Sequence, residues 1–409
     1  MATMNACLRP ESLIPGLSHV MIMVSGRDGP GITARLTEIL AETGAQLLDI
    51  EQVVVRHHLT LGLLIAIPQG QGVLKELLFA AKELGVSLDF TPVETERGSV
   101  RPGDRYVVTA IGPCLGAKEI HALAASLAEH QGNIARISRL STNDLRSLEI
   151  HVDLAAGNDV LLLKEALLRL STQSSFDIAI QREGLFRRSK RLVVMDMDST
   201  LIKIEVIDEL AKYHGVAEKV ARVTERAMAG EMDYDESLRE RLSLLKGLQV
   251  TVLQKIAAEL PLTDGAERLI RVLRRLGYRT AVISGGFSIA ADALRSRLGI
   301  DYAYSNVLEI ADGRLTGRVV GPIVNGARKA ELLQTIAQAE GVLLDQVIAV
   351  GDGANDIPML ERAGLGIAFH AKAQLRAAAD TSISTGGLDS ILYLLGISAE
   401  ELEEVLKLP

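Results

Sequence analysis

The sequence contains few of the residues from which disulfides, zinc sites and membrane spans are built. Among its 409 residues only Cys7 and Cys114 are cysteines, and they are far apart, with no neighbouring metal-ligand spacing. Neither a disulfide framework nor a zinc site is therefore expected. No run approaches the roughly 18 apolar residues of a membrane helix, and the first residues lack a basic stretch followed by an apolar one. We expect a cytoplasmic protein with no membrane partner.

An excess of positive charge is also lacking. The chain has 44 lysines and arginines against 52 aspartates and glutamates, which gives a net charge of −8 at pH 7. A nucleic-acid partner requires a basic face, so none is expected. Hydrophobic residues make up 48% and charged residues 23% of the chain, as is typical of globular proteins. The length predicts two or three domains.

Two segments of the first half have the same predicted order of elements, at a spacing of about 85 to 90 residues. Each begins with a strand, a helix and two strands, and continues with a second helix and a last strand. The first helix of each copy is predicted to end at a glycine, Gly44 or Gly132. This βαββαβ order predicts an α+β domain, an antiparallel sheet with helices on one face.

The repeated unit resembles the ACT domain, a small regulatory module that binds amino acids in enzymes of amino-acid metabolism. The resemblance assigns one ACT-like domain to residues 17–98. There Asp28, Gly31 and Ile32 match the family's Asp-x-x-Gly-Ile turn before the first helix. The backbone N–H groups at the start of that helix can meet a carboxylate. The resemblance therefore implies a regulatory amino-acid site at these three residues.

The second ACT-like domain, residues 104–183, departs from the turn motif. Its PCLGAKEI has Cys114 where an aspartate would help, which leaves ligand binding there open. Both modules could instead only pair their sheet edges. A homodimer through the ACT-like domains is expected in either case. Residues 181–192, QREGLFRRSKRL, are predicted to be a solvated basic linker.

From Leu192 onward, predicted strands and helices alternate. This order predicts an α/β domain over residues 190–409, with a Rossmann-like, doubly wound parallel sheet covered by helices on both faces. Ligands of such sheets bind outside the carboxyl ends of the strands. Polar or glycine-rich sequences stand at four such positions: DMDST, SGGF, the loop before Lys329, and GDGANDIPML.

These four motifs, in this order, resemble those of the haloacid-dehalogenase superfamily of phosphoryl-transfer enzymes and, within it, the phosphoserine phosphatase family. The resemblance covers about residues 190–400, and some members of that family also carry two ACT-like modules. It implies a magnesium-dependent phosphatase that hydrolyses O-phospho-L-serine to L-serine and phosphate through an aspartyl-phosphate intermediate, the last step of serine biosynthesis. L-serine would be the product and a possible effector.

The resemblance also assigns roles to residues. Asp196 would be the nucleophile and Asp198 the general acid and base. Mg²⁺ would be bound by Asp196, Asp352 and the backbone carbonyl of Asp198. Carboxylate oxygens suit this ion, and its charge would offset the repulsion between Asp196 and Asp198. The predicted phosphate-binding residues are Ser284, Gly285, Lys329 and Asn355, with Asp356 supporting the metal loop.

Taken singly, several of these residues have ordinary structural explanations. Asp198 or Asp356 could cap a helix, Ser284 could start one, and Lys329 could be a solvated residue of the helix that follows. Jointly and in this order, the functional interpretation is favoured. Asp264 is different, because it precedes a helical pattern and is predicted to be its N-cap.

About sixty residues of helical periodicity, at positions of about 205–262, are too many for a plain crossover. They predict a helical cap over the site. By resemblance, Glu205 and Arg241 would hold the substrate's ammonium and carboxylate groups. Met228 and Tyr234 would pack against its apolar part, with Tyr where the family usually has Phe. A surface ion pair remains an alternative for Arg241, and the neighbouring Arg239 is predicted to be solvated.

Three other functions remain open from the sequence alone. The same motifs serve phosphoryl transfer to another hydroxyl acceptor, or hydrolysis of a different phosphomonoester. A catalytically idle amino-acid sensor is a third possibility, which the intact set of acidic and basic motif residues disfavours.

Overall fold

A computed structural model describes residues 17–68, 72–93, 104–142, 146–155 and 157–407. Cys7 lies outside these residues, as do the predicted domain limits at 98 and 409. Within the described residues, no helix is both long enough and apolar enough to cross a membrane. The described chain divides into two units, with the boundary between residues 100 and 101.

The first unit has the predicted βαββαβ order. Its sheet is antiparallel throughout, in the order β2-β3-β1-β4. Two helices cover one face, where Ile22 and Leu63 of the sheet and Leu36 and Leu77 of the helices are fully buried. The elements are β1 (Ser18–Arg27), α1 (Ile32–Glu42), β2 (Gln46–Val55), β3 (His58–Ile67), α2 (Val73–Leu84) and β4 (Val86–Pro92).

The turn before α1 holds the predicted amino-acid-binding motif. Gly31 precedes the helix with φ +95°, a left-handed conformation that favours glycine. Asp28 is exposed, and its backbone N–H donates to the carbonyl of His57 at 2.9 Å. The turn is therefore tied to the β2–β3 hairpin while the Asp28 carboxylate faces solvent.

The second unit begins with another βαββαβ module, and its sheet order is β8-β5-β7-β6. One predicted detail is wrong, because the left-handed residue after its first helix is Gln131, and Gly132 begins the next strand. A Cβ at Gly132 would lie 2.9 Å from Val152, so close strand packing explains this glycine. The elements are β5 (Asp104–Ile111), α3 (Ala117–Glu129), β6 (Gly132–Arg139), β7 (Ser147–Leu154), α4 (Val160–Gln173) and β8 (Asp177–Arg182).

The prediction of a solvated linker is wrong at two of its basic residues. After the short helix α5 (Leu185–Arg188), Lys190 is buried and donates to the carbonyl of Asp345 at 2.6 Å. The side chain of Arg187 is 1% exposed and pairs with the buried Glu149. Burial lowers the pKa of Lys190 to about 8. Specific partners compensate these buried charges, and composition alone does not reveal them.

The remainder of the second unit is the predicted doubly wound α/β fold. A central sheet in the order β12-β11-β10-β9-β13-β14-β15 is parallel except for β12. Two separate hydrophobic clusters cover its faces. One antiparallel pair, Thr381 with Ala179, joins β15 to β8, so that the module and this domain share an eleven-stranded sheet.

The elements of this domain follow the alternating order that the sequence predicts. They are β9 (Leu192–Met195), α6 (Val206–His214), α7 (Ala217–Met228), α8 (Tyr234–Leu244), α9 (Val250–Ala258), α10 (Ala266–Arg275), β10 (Arg279–Phe287), α11 (Ser288–Leu298), β11 (Tyr302–Ala311), β12 (Arg314–Val320), α12 (Gly326–Ala339), β13 (Val347–Gly351), α13 (Ile357–Arg362), β14 (Leu365–Phe369), α14 (Ala373–Ala378), β15 (Thr381–Ile383), α15 (Ile391–Leu394) and α16 (Ala399–Lys407).

Helices α6 to α9 form the helical cap, and an isolated bridge between Ile202 and Leu262 closes its base. The prediction that Asp264 caps the following helix is wrong. Gly265, with φ +79°, precedes α10, and no side chain caps that helix. The Asp264 carboxylate is instead 83% exposed and pairs with Lys203 at 2.7 Å.

Candidate active site

A cavity of about 740 Å³ lies at the carboxyl ends of β9, β10 and β13, beneath the cap. The structure brings the four motifs together here, as the topology of a parallel sheet requires. Lys329 does not line the cavity but contacts a residue that does. The predicted residues in the lining are Asp196, Asp198, Glu205, Met228, Tyr234, Arg241, Ser284, Gly285, Asp352 and Asn355.

Asp196 follows the buried strand β9, and its backbone N–H donates to Val350 of the neighbouring strand at 2.9 Å. One carboxylate oxygen accepts from the Met197 N–H at 2.7 Å. The other lies 2.9 Å from the Nζ atom of Lys329. The strand end and the lysine thus fix the carboxylate at the floor of the cavity.

Lys329 is fully buried, so the alternative of a solvated residue is wrong. Its Nζ atom also lies 2.7 Å from Oδ1 of Asp356, which is itself fully buried. Burial by itself would lower the pKa of Lys329, but Asp196 and Asp356 outweigh it and the pKa is raised. The ammonium therefore stays charged between two carboxylates.

Asp198 lies two residues after Asp196 and is in a different electrostatic environment. Burial, followed by the nearby charges of Glu205 and Asp196, raises the pKa of Asp198 well above its usual range. Its Oδ1 atom accepts from the backbone N–H of Val206, the first residue of α6, at 3.3 Å. The side chain thus contacts the helix start, and its surroundings favour its protonated form.

Three carboxylates, those of Asp196, Asp352 and Asp356, each place one oxygen within 4.8 Å of the others. Burial and the charges of its two neighbours raise the pKa of Asp352 to about 8, and Thr200 donates to it at 3.0 Å. Hard cations such as Mg²⁺ prefer oxygen ligands of this kind. The donor set and its excess of negative charge therefore fit a divalent cation.

Asp356 is engaged by protein groups on both oxygens. Oδ1 pairs with Lys329, and Oδ2 accepts from the backbone N–H groups of Asp352 and Gly353 at 3.2 and 3.1 Å. Burial raises the pKa of Asp356 to about 6. These contacts fit the predicted supporting role, in which Asp356 fixes the loop that carries Asp352.

The end of β10 approaches the cavity closely because it carries two glycines. A Cβ at Gly285 would overlap the hydroxyl of Tyr234, and one at Gly286 would lie 2.5 Å from the Asp198 carboxylate. Ser284 is buried, and its Oγ atom accepts from the N–H of Gly286 at 2.8 Å. Ser284 lies within β10, four residues before α11 begins, so it does not start that helix.

Asn306 is a polar residue of this region that the sequence analysis missed. Its fully buried side chain donates to the carbonyl of Gly285 at 2.8 Å and accepts from the N–H of Val324 at 2.9 Å. It thereby joins the end of β10 to the segment before α12. Lys329 lies in the first turn of α12. A polar residue among the apolar residues of a strand was the available signal.

The cap contributes an acidic and a basic side chain to the same cavity. Glu205 accepts from Ser199 at 2.7 Å. Burial raises the pKa of Glu205, and the opposing effects of Ser199 and Arg241 do not cancel this shift. Among the described residues, Arg241 has no carboxylate within ion-pair distance and donates to the carbonyl of Ser237 at 3.4 Å. Glu240, the candidate for a surface pair, instead contacts Arg226 at 3.0 Å.

The neighbouring Arg239 is 62% exposed and lies 3.7 Å from Asp235, in agreement with the predicted solvated role. Met228 is 65% exposed and lies at the rim of the cavity. Lys372, 3.8 Å from its sulfur, also lines the cavity and was missed by the sequence analysis. Lys372 follows β14, which is also a parallel strand. Its position after a predicted strand was the signal from which it could have been found.

Comparisons with known proteins are consistent with this architecture. A family model described as haloacid dehalogenase-like hydrolase matches residues 190–364. Two models described as ACT domain match residues 18–91 and 105–181.

Curated relatives match nearly the whole chain. The phosphoserine phosphatase of Streptomyces coelicolor is 45% identical over 387 residues, which cover 94% of this chain and 93% of the relative. That of Mycobacterium tuberculosis is 43% identical over 396 residues, covering 95% and 96%. Among solved structures, a probable phosphoserine phosphatase from Vibrio cholerae gives a TM-score of 0.57 at 34% identity, covering 78% of this chain and 94% of that one.

The raised pKa of Asp352 predicts that a divalent cation competes with a proton. Since this carboxyl is largely protonated below pH 8, Mg²⁺ affinity should rise by roughly tenfold per pH unit between pH 6 and 8. Calorimetry of the metal-free chain in buffers of different ionisation enthalpy measures both the affinity and the proton released. An affinity that is flat across this range would contradict the prediction. Asp352→Asn is the matched control, and it should remove the pH dependence.

Proposed function

The chain belongs to the phosphoserine phosphatase family, and on that basis we propose that it hydrolyses O-phospho-L-serine to L-serine and phosphate, the last step of serine biosynthesis. One observation carries the proposal for the substrate. A single cavity has Asp196, in contact with the buried Lys329, at its floor. On its cap side are Glu205 and Arg241, and Arg241 has no carboxylate within ion-pair distance among the described residues. The floor suits a phosphoryl group, and the cap suits the ammonium and carboxylate of an amino acid.

Asp196 is the nucleophile of the proposed reaction. Its carboxylate oxygen attacks phosphorus and forms an aspartyl phosphate while the bond from phosphorus to the serine oxygen breaks. Asp198, whose raised pKa keeps it protonated, donates its proton to the leaving alkoxide. The resulting carboxylate then takes a proton from the water that hydrolyses the intermediate, which releases phosphate and regenerates both aspartates.

The phosphoryl oxygens require positive charge and hydrogen-bond donors. We assign these roles to the Lys329 ammonium, the Ser284 hydroxyl, the Gly285 backbone N–H and the Asn355 side chain. The buried position of Lys329 supports this assignment, because an ammonium in a low-dielectric site stabilises developing negative charge more strongly than one in water. Asn306 would act indirectly, by positioning the Gly285 backbone.

The proposed cofactor is Mg²⁺, held by the carboxylates of Asp196 and Asp352 and by the backbone carbonyl of Asp198. When bound, the ion neutralises charge on the phosphoryl oxygens. The carboxylate cluster supports this site, and Asp356 keeps Asp352 in position through its two backbone contacts.

Selectivity for phosphoserine would come from the cap. A guanidinium binds a carboxylate through two parallel hydrogen bonds, and a carboxylate complements an ammonium. We assign these contacts to Arg241 and Glu205, with Met228 and Tyr234 beside the substrate's methylene group. Burial raises the pKa of Tyr234 to about 12, so its hydroxyl stays neutral.

The proposal is tested first by measuring phosphate release from a panel of phosphomonoesters. The panel includes O-phospho-L-serine, its D enantiomer and p-nitrophenyl phosphate, each with Mg²⁺ and with a chelator. Strong, magnesium-dependent preference for O-phospho-L-serine is expected. Weak or indiscriminate release would contradict the substrate and would favour another phosphomonoester or a hydroxyl acceptor.

Asp196→Asn should reduce turnover of O-phospho-L-serine by at least about a thousandfold and leave no trapped phosphoenzyme, because a neutral amide is a poor nucleophile. Steady-state kinetics and acid-quench labelling with radioactive phosphate measure both effects. The matched control is Asp264→Asn, the same change at an exposed aspartate outside the cavity. Activity of the Asp196 variant within tenfold of the parent would disprove the nucleophile assignment.

Arg241→Ala should lower kcat/KM for O-phospho-L-serine by roughly a hundredfold, because a charge-assisted pair with the substrate carboxylate is lost. Turnover of p-nitrophenyl phosphate, which has no carboxylate, should change little. Arg239→Ala, two residues away on the same helix and exposed, is the control for both substrates. Equal losses on the two substrates would remove Arg241 from substrate recognition.

We also propose that the first ACT domain senses an amino acid, namely L-serine, and that the ACT domains build a homodimer. The exposed Asp28 carboxylate and the backbone N–H groups at the start of α1 support an amino-acid site, since together they complement an ammonium and a carboxylate. Light scattering of the purified chain tests the dimer.

Asp28→Ala should relieve inhibition by L-serine and leave the uninhibited turnover unchanged, because Asp28 belongs to the other unit of the chain. Dose–response curves with L-serine measure the shift. Asp89→Ala, at an exposed aspartate of β4, is the control. Inhibition that persists unaltered in the Asp28 variant would place the effect of serine at the active site as ordinary product inhibition.

A further inference from the structure

A second cavity, of about 520 Å³, lies in the catalytic domain along α10, from Glu267 in its first turn to Arg275 at its end. The carboxyl-terminal end of α11 also lines it. None of its lining residues lines the candidate active site. Four guanidinium groups face one carboxylate there, on a chain whose net charge is −8. The lining consists of Glu267, Arg271, Arg274, Arg275, Arg297 and Leu298.

The arginines of the lining are only partly neutralised within the described part of the chain. Arg271 pairs with Glu267 at 2.9 Å. For Arg274, Arg275 and Arg297, no carboxylate of the described residues lies within ion-pair distance. Each donates instead to one backbone carbonyl, at 3.4, 2.8 and 2.9 Å respectively. A guanidinium has five N–H donors, so most donors of these three groups remain available.

The carbonyl contacts have a structural explanation, since arginines commonly satisfy the free carbonyls at helix ends. That role uses one donor of each group and does not require that the groups converge on a cavity. The partial charge of about −0.5 at each helix end is also smaller than the charge of one guanidinium. Capping therefore accounts for the anchoring of the arginines but not for their excess of charge.

The backbone leaves room for one of these guanidinium groups. Gly299 follows α11 with φ +70°, and a Cβ at this position would overlap Nη1 of Arg274. The Arg274 guanidinium packs directly on the bare glycine, and its contact with the carbonyl of Leu298 fixes it there. Its position is set before any ligand arrives, which lowers the entropic cost of binding.

We propose that this cavity binds a small polyphosphate anion, of which inorganic diphosphate is the simplest. Planar guanidinium groups bind phosphate oxygens through paired hydrogen bonds, and several groups around one cavity match several phosphate charges. Among the described residues that line the cavity, Leu298 is the only apolar one and none is aromatic. The lining thus offers no wall for a nucleobase, which favours a ligand without one.

Calorimetric titration of the full metal-free chain with inorganic diphosphate tests the proposal. One site per chain is expected, with orthophosphate at least tenfold weaker because it spans fewer arginines. Arg274→Gln combined with Arg297→Gln should weaken diphosphate binding by at least tenfold. The matched control is Arg295→Gln, which alters an arginine of α11 outside the lining.

Two further variants keep the result decisive. Glu267→Gln removes the carboxylate from the lining and frees Arg271, so diphosphate should bind roughly three- to tenfold more tightly. Unchanged or weaker binding would overturn the proposal, even if the double arginine variant proved unfolded. Ser284→Ala should leave diphosphate affinity unchanged. Binding that is lost in this variant and retained in the arginine variant would place the anion in the active site.

Discussion

The catalytic centre depends on the ion pairs of one fully buried lysine. Lys329 lies between Asp196 and Asp356, and removing such charges from water is costly unless each has a close partner. One ammonium cannot neutralise all the carboxylates around it. The surplus negative charge, together with burial, raises the pKa values of Asp198 and Asp352. The same imbalance thus favours a proton on Asp198 and a cation at the carboxylate cluster.

The rest of the cavity is arranged around this centre by backbone geometry. Parallel strands bring the motifs to one edge of the sheet. Glycines at 285 and 286 let the end of β10 lie against Tyr234 and Asp198. Asn306 then connects the end of β10 to the segment before α12. A cap of four helices supplies groups of opposite charge, Glu205 and Arg241, opposite the floor. Floor and cap can therefore recognise different ends of one small substrate.

The sequence predicted the fold and most of the cavity, because strand periodicity locates the strand ends and strand ends of parallel sheets converge. Asp196 and Asp352 each follow a recognisable strand, and Ser284 lies near the end of one. Residues whose importance comes from tertiary contacts were missed or misjudged. Asn306 matters through two backbone groups distant in sequence, and Arg187 is buried only because Glu149 meets it. Asp264 is of a residue type that often caps helices, but Gly265 occupies the N-cap position of α10. The Asp264 carboxylate therefore lies in solvent.

The continuous eleven-stranded sheet makes the second ACT module part of the catalytic domain's own framework. Strand β8 covers the edge of β15, and Asp177 at its start accepts from the backbone N–H groups of Ser384 and Thr385 at 2.9 and 2.8 Å. Excising the catalytic domain after residue 183 would expose β15 as an unprotected edge strand and leave the loop after it without its acceptor. Such edges invite pairing between chains and aggregation. For expression of a minimal enzyme, the cleaner division is the unit boundary between residues 100 and 101, which separates the two sheets that the described residues form.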